Sequence, residues 1–392
     1  MKHSSLRGSA IAVGLTMGLA VTAVPSIAYA QATIACGDIA GLITAINTLN
    51  SGNGGTIELA KGCTYTFTAP IAGTNDALPP ILKKITITGH DSALVRQASG
   101  APLFRLLEVA APTGDLTLHG VEISGGHIGV TITEEGDGGG IKNHGKLTLD
   151  ESEVTGNAAD NEGGGIYNDE GATLTANRSS ISGNTSVQGG AGLSNNETGT
   201  VTLKHTTVVG NQSGDDAGGI NNAGNATLTV EDSTVSHNTS REGDGGGIIN
   251  GGTAKLRETV VSDNFAAFEG GGINNSDEAT LEITGGQITE NNAGRDGGGI
   301  NNEGAATLTK VKVKENSTGR DGGGINNEFN TETGLGATLT LHHSTVTENT
   351  AARNGGGINK QAGTSVTLDD SSVVKNKPNN CFPLGSVTGC QN

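Results

Sequence analysis

A six-residue phrase, Gly138-Gly139-Gly140-Ile141-Lys142-Asn143, returns along this chain at a nearly fixed interval. Copies begin at 163, 190, 217, 245, 270, 297, 322 and 355, so the spacing is 25–28 residues with one interval of 33. A unit this short cannot bury an apolar face alone, so successive copies must stack and bury it between them. The anchors Ile141, Ile166, Leu193, Ile220, Ile248, Ile273, Ile300, Ile325 and Ile358 then become one column of a narrow core. Composition agrees with a narrow core. Of 392 residues, 65 are Gly, none is Trp and 2% are aromatic, too few large side chains for a globular core of this length.

Two further β-type pieces recur in each unit. One alternates, as in Leu147-Thr148-Leu149 and Leu228-Thr229-Val230. The other ends in Asn, as in Val154-Thr155-Gly156-Asn157. All eight prolines lie outside 113–377. Pro cannot donate to a sheet ladder, so its absence from that stretch predicts strands paired on both sides. The expected fold class is all-β: a right-handed parallel β-helix, a solenoid with an N-terminal capping helix and a disulfide-closed C-terminal cap. Leucine-rich repeats need a compact return segment that Gly-Gly-Gly-Ile-Asn-Asn does not supply, and left-handed β-helices keep strict hexapeptides. The capping helix is expected from Asp38, as N-cap, through Leu49, with Ile39, Leu42, Ile43, Ile46 and Leu49 at helical spacing. Irregular first strands are expected at 56–59, 65–68, 85–88, 94–97 and 103–109.

The expected organisation is a signal peptide at 1–30, an N-terminal cap with irregular rungs at 31–112, regular repeats at 113–377 and a C-terminal cap at 378–392. Lys2 and Arg7 precede an apolar run and Ala28-Tyr29-Ala30 offers small residues for cleavage, the pattern of a secretory signal. Four cysteines remain beyond it. An even count in a secreted chain predicts disulfides, and the local pairs are Cys36–Cys63 and Cys381–Cys390.

The GGGI-x-N and V-x-x-N pair resembles the GGAI and FxxN repeats of polymorphic outer-membrane proteins, and more broadly the secreted right-handed parallel β-helix proteins. The resemblance spans 116–376 and implies the stacked fold. Val or Ile replaces the Phe of the second motif here, and the strands of that family's autotransporter barrel are not in this sequence. Polysaccharide lyases and pectin hydrolases share the fold, but no catalytic motif of theirs is recognisable.

In a solenoid, function is read in columns. The residues Asn168, Asn195, Asn222, Asn250, Asn275, Asn302 and Asn327, with Asn143, form one; Asn157, Asn184, Asn211, Asn238, Asn264, Asn291, Asn316, Asn349 and Asn376 form another. Amide ladders satisfy donors and acceptors between rungs, so both are expected to be structural. An acidic column precedes the glycines: Asp137, Glu162, Asp216, Asp244, Glu269, Asp296 and Asp321. Stacked like charges repel by about 1 kcal/mol per pair even in water. Arg295, Arg320 and Arg353 are placed to pair with the last acids. The earlier acids, Asp137, Glu162, Asp216, Asp244 and Glu269, have no such adjacent Arg, which makes structural Ca²⁺ the candidate cofactor, at Asp216, Asp244 and Glu269. Threonine pairs are expected outward at 173/175, 200/202, 227/229, 307/309 and 338/340, interrupted by Lys255/Arg257 and Thr280/Glu282, with Leu174, Val201, Leu228, Leu308 and Leu339 inward.

The net charge of -17 argues against nucleic acid or anionic membranes as partners, and no stretch after the signal is apolar enough to span a bilayer. The reading is a secreted, non-catalytic extracellular or cell-surface protein that presents an elongated surface, its partner left open between a polysaccharide and a cell-surface protein. A polysaccharide-active lyase or glycoside hydrolase is the first alternative. An ice-binding protein, which the Thr-x-Thr array resembles, is the second.

Overall fold

The computed structural model describes residues 30–130, 136–330 and 334–392. The expected signal segment lies outside the described residues, apart from Ala30. The chain winds as a parallel β-solenoid whose strands pair only with their counterparts one rung before and after. One representative rung runs through the strands Ile141–Asn143, Lys146–Asp150, Glu153–Thr155 and Ala158–Ala159. The first kind stacks into an eleven-stranded sheet, here the GGGI sheet; the second and third share a twenty-three-stranded threonine sheet; the fourth forms a nine-stranded narrow sheet. The two-residue fourth strand is absent from the sequence reading, because two residues show no periodicity.

Left-handed backbone positions turn the corners. One falls between the second and third strands, at Glu151, Arg178, His205, Asp232 and Glu258, with φ between 46° and 51°. Another immediately precedes the Asn that follows each third strand, at Gly156, Gly183, Gly210, His237 and Asp263. Non-Gly residues pay about 1 kcal/mol or more for this conformation, and the asparagines that follow offset it. Asn238 Nδ2 donates to Asn264 Oδ1 at 3.0 Å and to the Val208 carbonyl at 3.0 Å, while the Asn238 amide donates to the same Asn264 Oδ1. The pattern repeats from Asn157 through Asn376. The other column is bonded likewise, from Asn143–Asn168 to Asn302–Asn327 at 2.6–2.8 Å. Both ladders are buried, so the core alternates apolar columns with fully bonded amide columns.

The helix forms at Ile39–Ser51, with Asp38 Oδ1 accepting the Gly41 amide at 2.8 Å. Leu42, Ala45, Ile46 and Leu49 close the N-terminal end of the core. Cys36–Cys63 and Cys381–Cys390 are bonded. Two expectations are corrected. The strands expected at 85–88 and 94–97 are one strand, Lys84–Arg96, bent at Asp91, where φ is 59°. The threonine register is also different. Thr307 stacks on Thr340, and Ala305, not Thr307, stacks on Thr338. Leu308 therefore belongs with Leu341 rather than with Leu339. Likewise Lys255 stacks on Thr229 and Glu282, whereas Arg257 stacks on Glu231. A two-residue period cannot distinguish slips of two, which put the same face inward. In the true register one threonine column runs unbroken through Thr56, Thr86, Thr117, Thr148, Thr175, Thr202 and Thr229. It is then interrupted by Lys255 and Glu282, which pair at 3.2 Å.

Candidate functional site: the outer face of the GGGI sheet

The middle residue of each GGGI strand points away from the core, in a row that runs Lys142, Tyr167, Ser194, Asn221, Ile249, Asn274, Asn301, Asn326 and Asn359. Outward positions on a solenoid are ordinarily wet. Here Ser194, Asn301 and Asn326 are 0% exposed and Tyr167 is 7% exposed. The glycine that opens each phrase is the cause. Gly163 and Gly297 have φ of +66°, and a Cβ would stand 2.9 Å from Tyr167 Cα and 2.6 Å from the Asn301 amide nitrogen. The turn carrying the preceding acid thus folds back over the strand, and the row becomes the floor of a trough. Ala217 takes this position in one rung, at φ 48°.

The acidic column forms one wall, and its carboxylates face backbone amides. Asp216 Oδ1 accepts from the Asp244 amide, Asp244 Oδ1 from the Glu269 amide and Asp296 Oδ1 from the Asp321 amide, all at 2.8–2.9 Å. Asp137 Oδ1 accepts from Asn161 Nδ2 at 2.7 Å. Asp216, Asp244 and Glu269 thus follow one another up the wall. Among the described residues no three His, Cys, Asp or Glu side chains are grouped to hold a metal ion. Arg320 pairs with Asp296 at 3.5 Å and Arg353 with Asp321 at 2.6 Å, each one rung back. Arg295 does not form such a pair; its guanidinium stacks 3.8 Å from the Phe268 ring centroid.

Glu303 and Glu328 stand on the opposite wall. Asn301 Nδ2 donates to Glu269 Oε2 at 3.0 Å and also reaches Glu303 Oε1 at 3.3 Å, so one floor amide bridges the two walls. Asn326 Nδ2 donates to Glu328 Oε2 at 3.0 Å and to Asn301 Oδ1 at 2.8 Å. Burial, and then the charges of Glu328 and Asp244, push Glu269 up to about 8 and Glu303 up to about 7. Burial also raises Glu162, Asp216, Asp244, Asp296 and Glu328, opposed in each by a hydrogen bond to the carboxylate.

Toward the N-terminal end the floor changes character. Lys142 Nζ lies 5.7 Å from the Tyr167 ring centroid and 3.8 Å from Asp137 Oδ2. The Tyr167 hydroxyl accepts from Asn196 Nδ2 at 2.6 Å. Burial and the neighbouring Asp137, Asp169 and Glu162 charges hold that phenol well above its ordinary value. His144 Nδ1 meets Asp169 Oδ2 at 2.5 Å on the second wall, and Ser194 Oγ donates to Glu162 Oε2 at 2.7 Å on the first. A phenol, an ammonium, an imidazole and carboxylates therefore share one stretch of trough. The acidic column is evident from sequence. Tyr167, Lys142, His144, Asp169, Glu303 and Glu328 are not singled out there, although each holds the same place relative to its GGGI anchor as a neighbour in the next rung. That alignment was the available signal.

No family model matches this chain, and no curated protein does. Among solved structures it is similar to the A-module of the Azotobacter vinelandii mannuronan C-5 epimerase AlgE4, at TM-score 0.51 and 12% identity, over 86% of this chain and 93% of that one. The AlgE6 A-module of the same organism aligns at TM-score 0.38 and 12% identity, over 85% and 91% of the two chains. The Dettilon tailspike protein aligns at 0.31 and 11%, over 86% of this chain and 68% of its own length. At these identities the likeness is one of fold. The polymorphic outer-membrane repeat resemblance rests on the quoted motifs alone.

Proposed function

We propose that this is an extracellular β-helix protein that holds a glycan chain along the GGGI-sheet trough without cleaving it. The observation that carries this reading is the line of partly exposed carboxylates along the GGGI sheet, from Glu162 to Glu328, held in place by the buried amides and hydroxyl beneath them. Those groups hydrogen-bond sugar hydroxyls, and a site repeating every rung suits a linear, repeating ligand. The walls carry an acid in nearly every rung, and burial and mutual repulsion already disfavour the charged forms of Glu269 and Glu303. A polyuronate would add to that charge, so the ligand class is neutral or amino-bearing. The bonded cysteines and the expected signal segment favour an extracellular setting.

A second reading, a glycan-cleaving enzyme, is favoured by Glu269 and Glu303. They are two carboxyls with raised pKa values held by one amide, and such pairs serve as acid and base in glycoside cleavage. It ranks second because Asn301 already stands between the two carboxyls, its Nδ2 at 3.0 Å from Glu269 Oε2 and 3.3 Å from Glu303 Oε1. Affinity electrophoresis in gels cast with neutral, amino-bearing or uronate polysaccharides, run beside an assay for new reducing ends and unsaturated products, tests both. Retardation by a neutral or amino polysaccharide without products supports the first reading. Products support the second, and no retardation in any gel removes the first.

A further inference from the structure

Three arginines stand one rung apart along the acidic wall, and they do not behave alike. Arg353 precedes Asn354 and pairs with Asp321 at 2.6 Å. Arg320 precedes Asp321 and pairs with Asp296 at 3.5 Å. Each guanidinium thus reaches the wall acid of the rung before its own. Arg295 precedes Asp296, and the same reach would take it to Glu269. It goes to the Phe268 ring, 3.8 Å from the centroid.

The cause is the residue beneath. Backbone pairing sets Arg295 over Phe268, its amide donating to the Phe268 carbonyl, and sets Arg353 over Arg320 in the same way. Arg353 therefore has no aromatic face below it. Among the described residues Phe268, at 36%, and Phe265, at 40%, are the two aromatic side chains that stand exposed. Phe268 itself stands over Gly243, its amide donating to that carbonyl, so no side chain from directly beneath competes for the ring. A guanidinium on an aromatic face and a half-exposed ion pair are of comparable strength, and at this rung the ring holds it.

The acid that loses its arginine is one turned into the trough. Asp216, Asp244 and Asp296 each give Oδ1 to the backbone amide of the next acid. Glu269 is longer by a methylene, and its Oε2 accepts across the floor from Asn301 Nδ2 at 3.0 Å. The charges that weigh most on it, from Glu328, Asp244, Asp296 and Glu303, are all negative and would draw a guanidinium in.

We propose that Phe268 is a positioning residue that holds Arg295 off Glu269, so that this rung offers its ligand a carboxyl with no guanidinium on it. The proposal rests on the trough being the glycan site. With the ring removed, Arg295 turns to Glu269 as Arg320 turns to Asp296. It then takes the carboxyl oxygens that a sugar hydroxyl or amine would bond.

The test is affinity for a neutral or amino-bearing polysaccharide, measured for the unaltered chain, Phe268→Ala, Phe268→Tyr and Phe268→Ala/Arg295→Ala, beside a crystal structure of Phe268→Ala. Affinity is expected to drop severalfold in Phe268→Ala and to keep the parent value in Phe268→Tyr, which retains the ring. The double variant should recover it, because without the arginine Glu269 is open again. In the crystal structure the guanidinium should lie within about 4 Å of the Glu269 carboxyl, the ion-pair distance. Parent affinity in Phe268→Ala overturns the proposal. So does a double variant as weak as Phe268→Ala, which would mean that the ring itself meets the sugar, or a guanidinium that stays away from Glu269. If the unaltered chain binds none of these polysaccharides, the glycan reading fails, and the place of the guanidinium in Phe268→Ala still decides the role of the ring.

Discussion

Asp216 and Asp244 lie one rung apart, and Oδ1 of Asp216 accepts the backbone amide of Asp244 at 2.9 Å. The same bond joins Asp244 to the Glu269 amide and Asp296 to the Asp321 amide. The acidic wall is thus part of the solenoid's hydrogen bonding. Its charge is compensated by dipoles and, in the last rungs, by arginine.

Stability should fall as pH rises across the neutral range. Glu269 has an ordinary value of 4.5 and is held at about 8 in the fold, and Glu303 at about 7. Between those limits the folded state keeps protons that the unfolded chain releases, so raising pH favours unfolding. The melting temperature is expected to be higher at pH 5.5 than at pH 8.5, with a smaller difference in Glu269→Gln. An equal or larger difference in that variant would show that other groups set the pH dependence.

The asparagine ladder should be costly to break in its middle. Asn238→Ala removes the acceptor of both the Asn211 amide and Asn211 Nδ2, and the donor to the Val208 carbonyl. Leaving such buried groups unpaired costs about 1–3 kcal/mol each before relaxation. Urea unfolding of Asn238→Ala should lose at least about 2 kcal/mol. Loss of a few tenths would show that water replaces the ladder.

Ala217 is the exception at the first glycine of the phrase, and its φ of 48° is strained for a residue with a Cβ. Ala217→Gly should raise stability by about 0.5–1 kcal/mol, net of the entropy glycine adds to the unfolded chain. In the reverse change, Gly270→Ala, a Cβ would stand 2.6 Å from the Ile273 carbonyl oxygen, and stability should drop. A melting temperature unchanged from the parent chain in both variants would contradict the turn-over-floor geometry.

Calcium remains a proposal for the wall at Asp216, Asp244 and Glu269. A cation that binds only the folded state raises its stability by mass action. Millimolar Ca²⁺ is expected to raise the melting temperature modestly above the effect of NaCl at equal ionic strength, and not to do so in Asp216→Asn/Asp244→Asn. A calcium effect equal to that of NaCl leaves these carboxylates as amide acceptors only.

The fold was legible because its determinants repeat. The Ile column, the Asn columns and the proline-free stretch each recur with the rung, and the helix behind Asp38 follows ordinary capping chemistry. The register within the threonine sheet was not legible, because Leu308 and Leu339 fit either of two inward columns. The trough was not legible either. Positions such as Asn301 and Tyr167 are outward by alternation, and only the left-handed glycine that folds the acidic turn over them buries them. The pairing of Glu269 with Glu303 through Asn301 joins residues from two rungs and both walls, a relationship that exists only once the chain is wound.

The most direct measurement is the affinity of the protein and of Glu303→Ala for one neutral or amino-bearing polysaccharide, with far-UV circular dichroism as the check on fold. Glu303 stands half-buried on the trough wall, reached by Asn301 Nδ2 at 3.3 Å. Its removal should weaken binding about tenfold or more, the equivalent of about 1.4 kcal/mol, with an unchanged β spectrum. Equal affinity in the two proteins, or tighter binding of the unaltered chain to a polyuronate than to a neutral glycan, would contradict a glycan site in the trough.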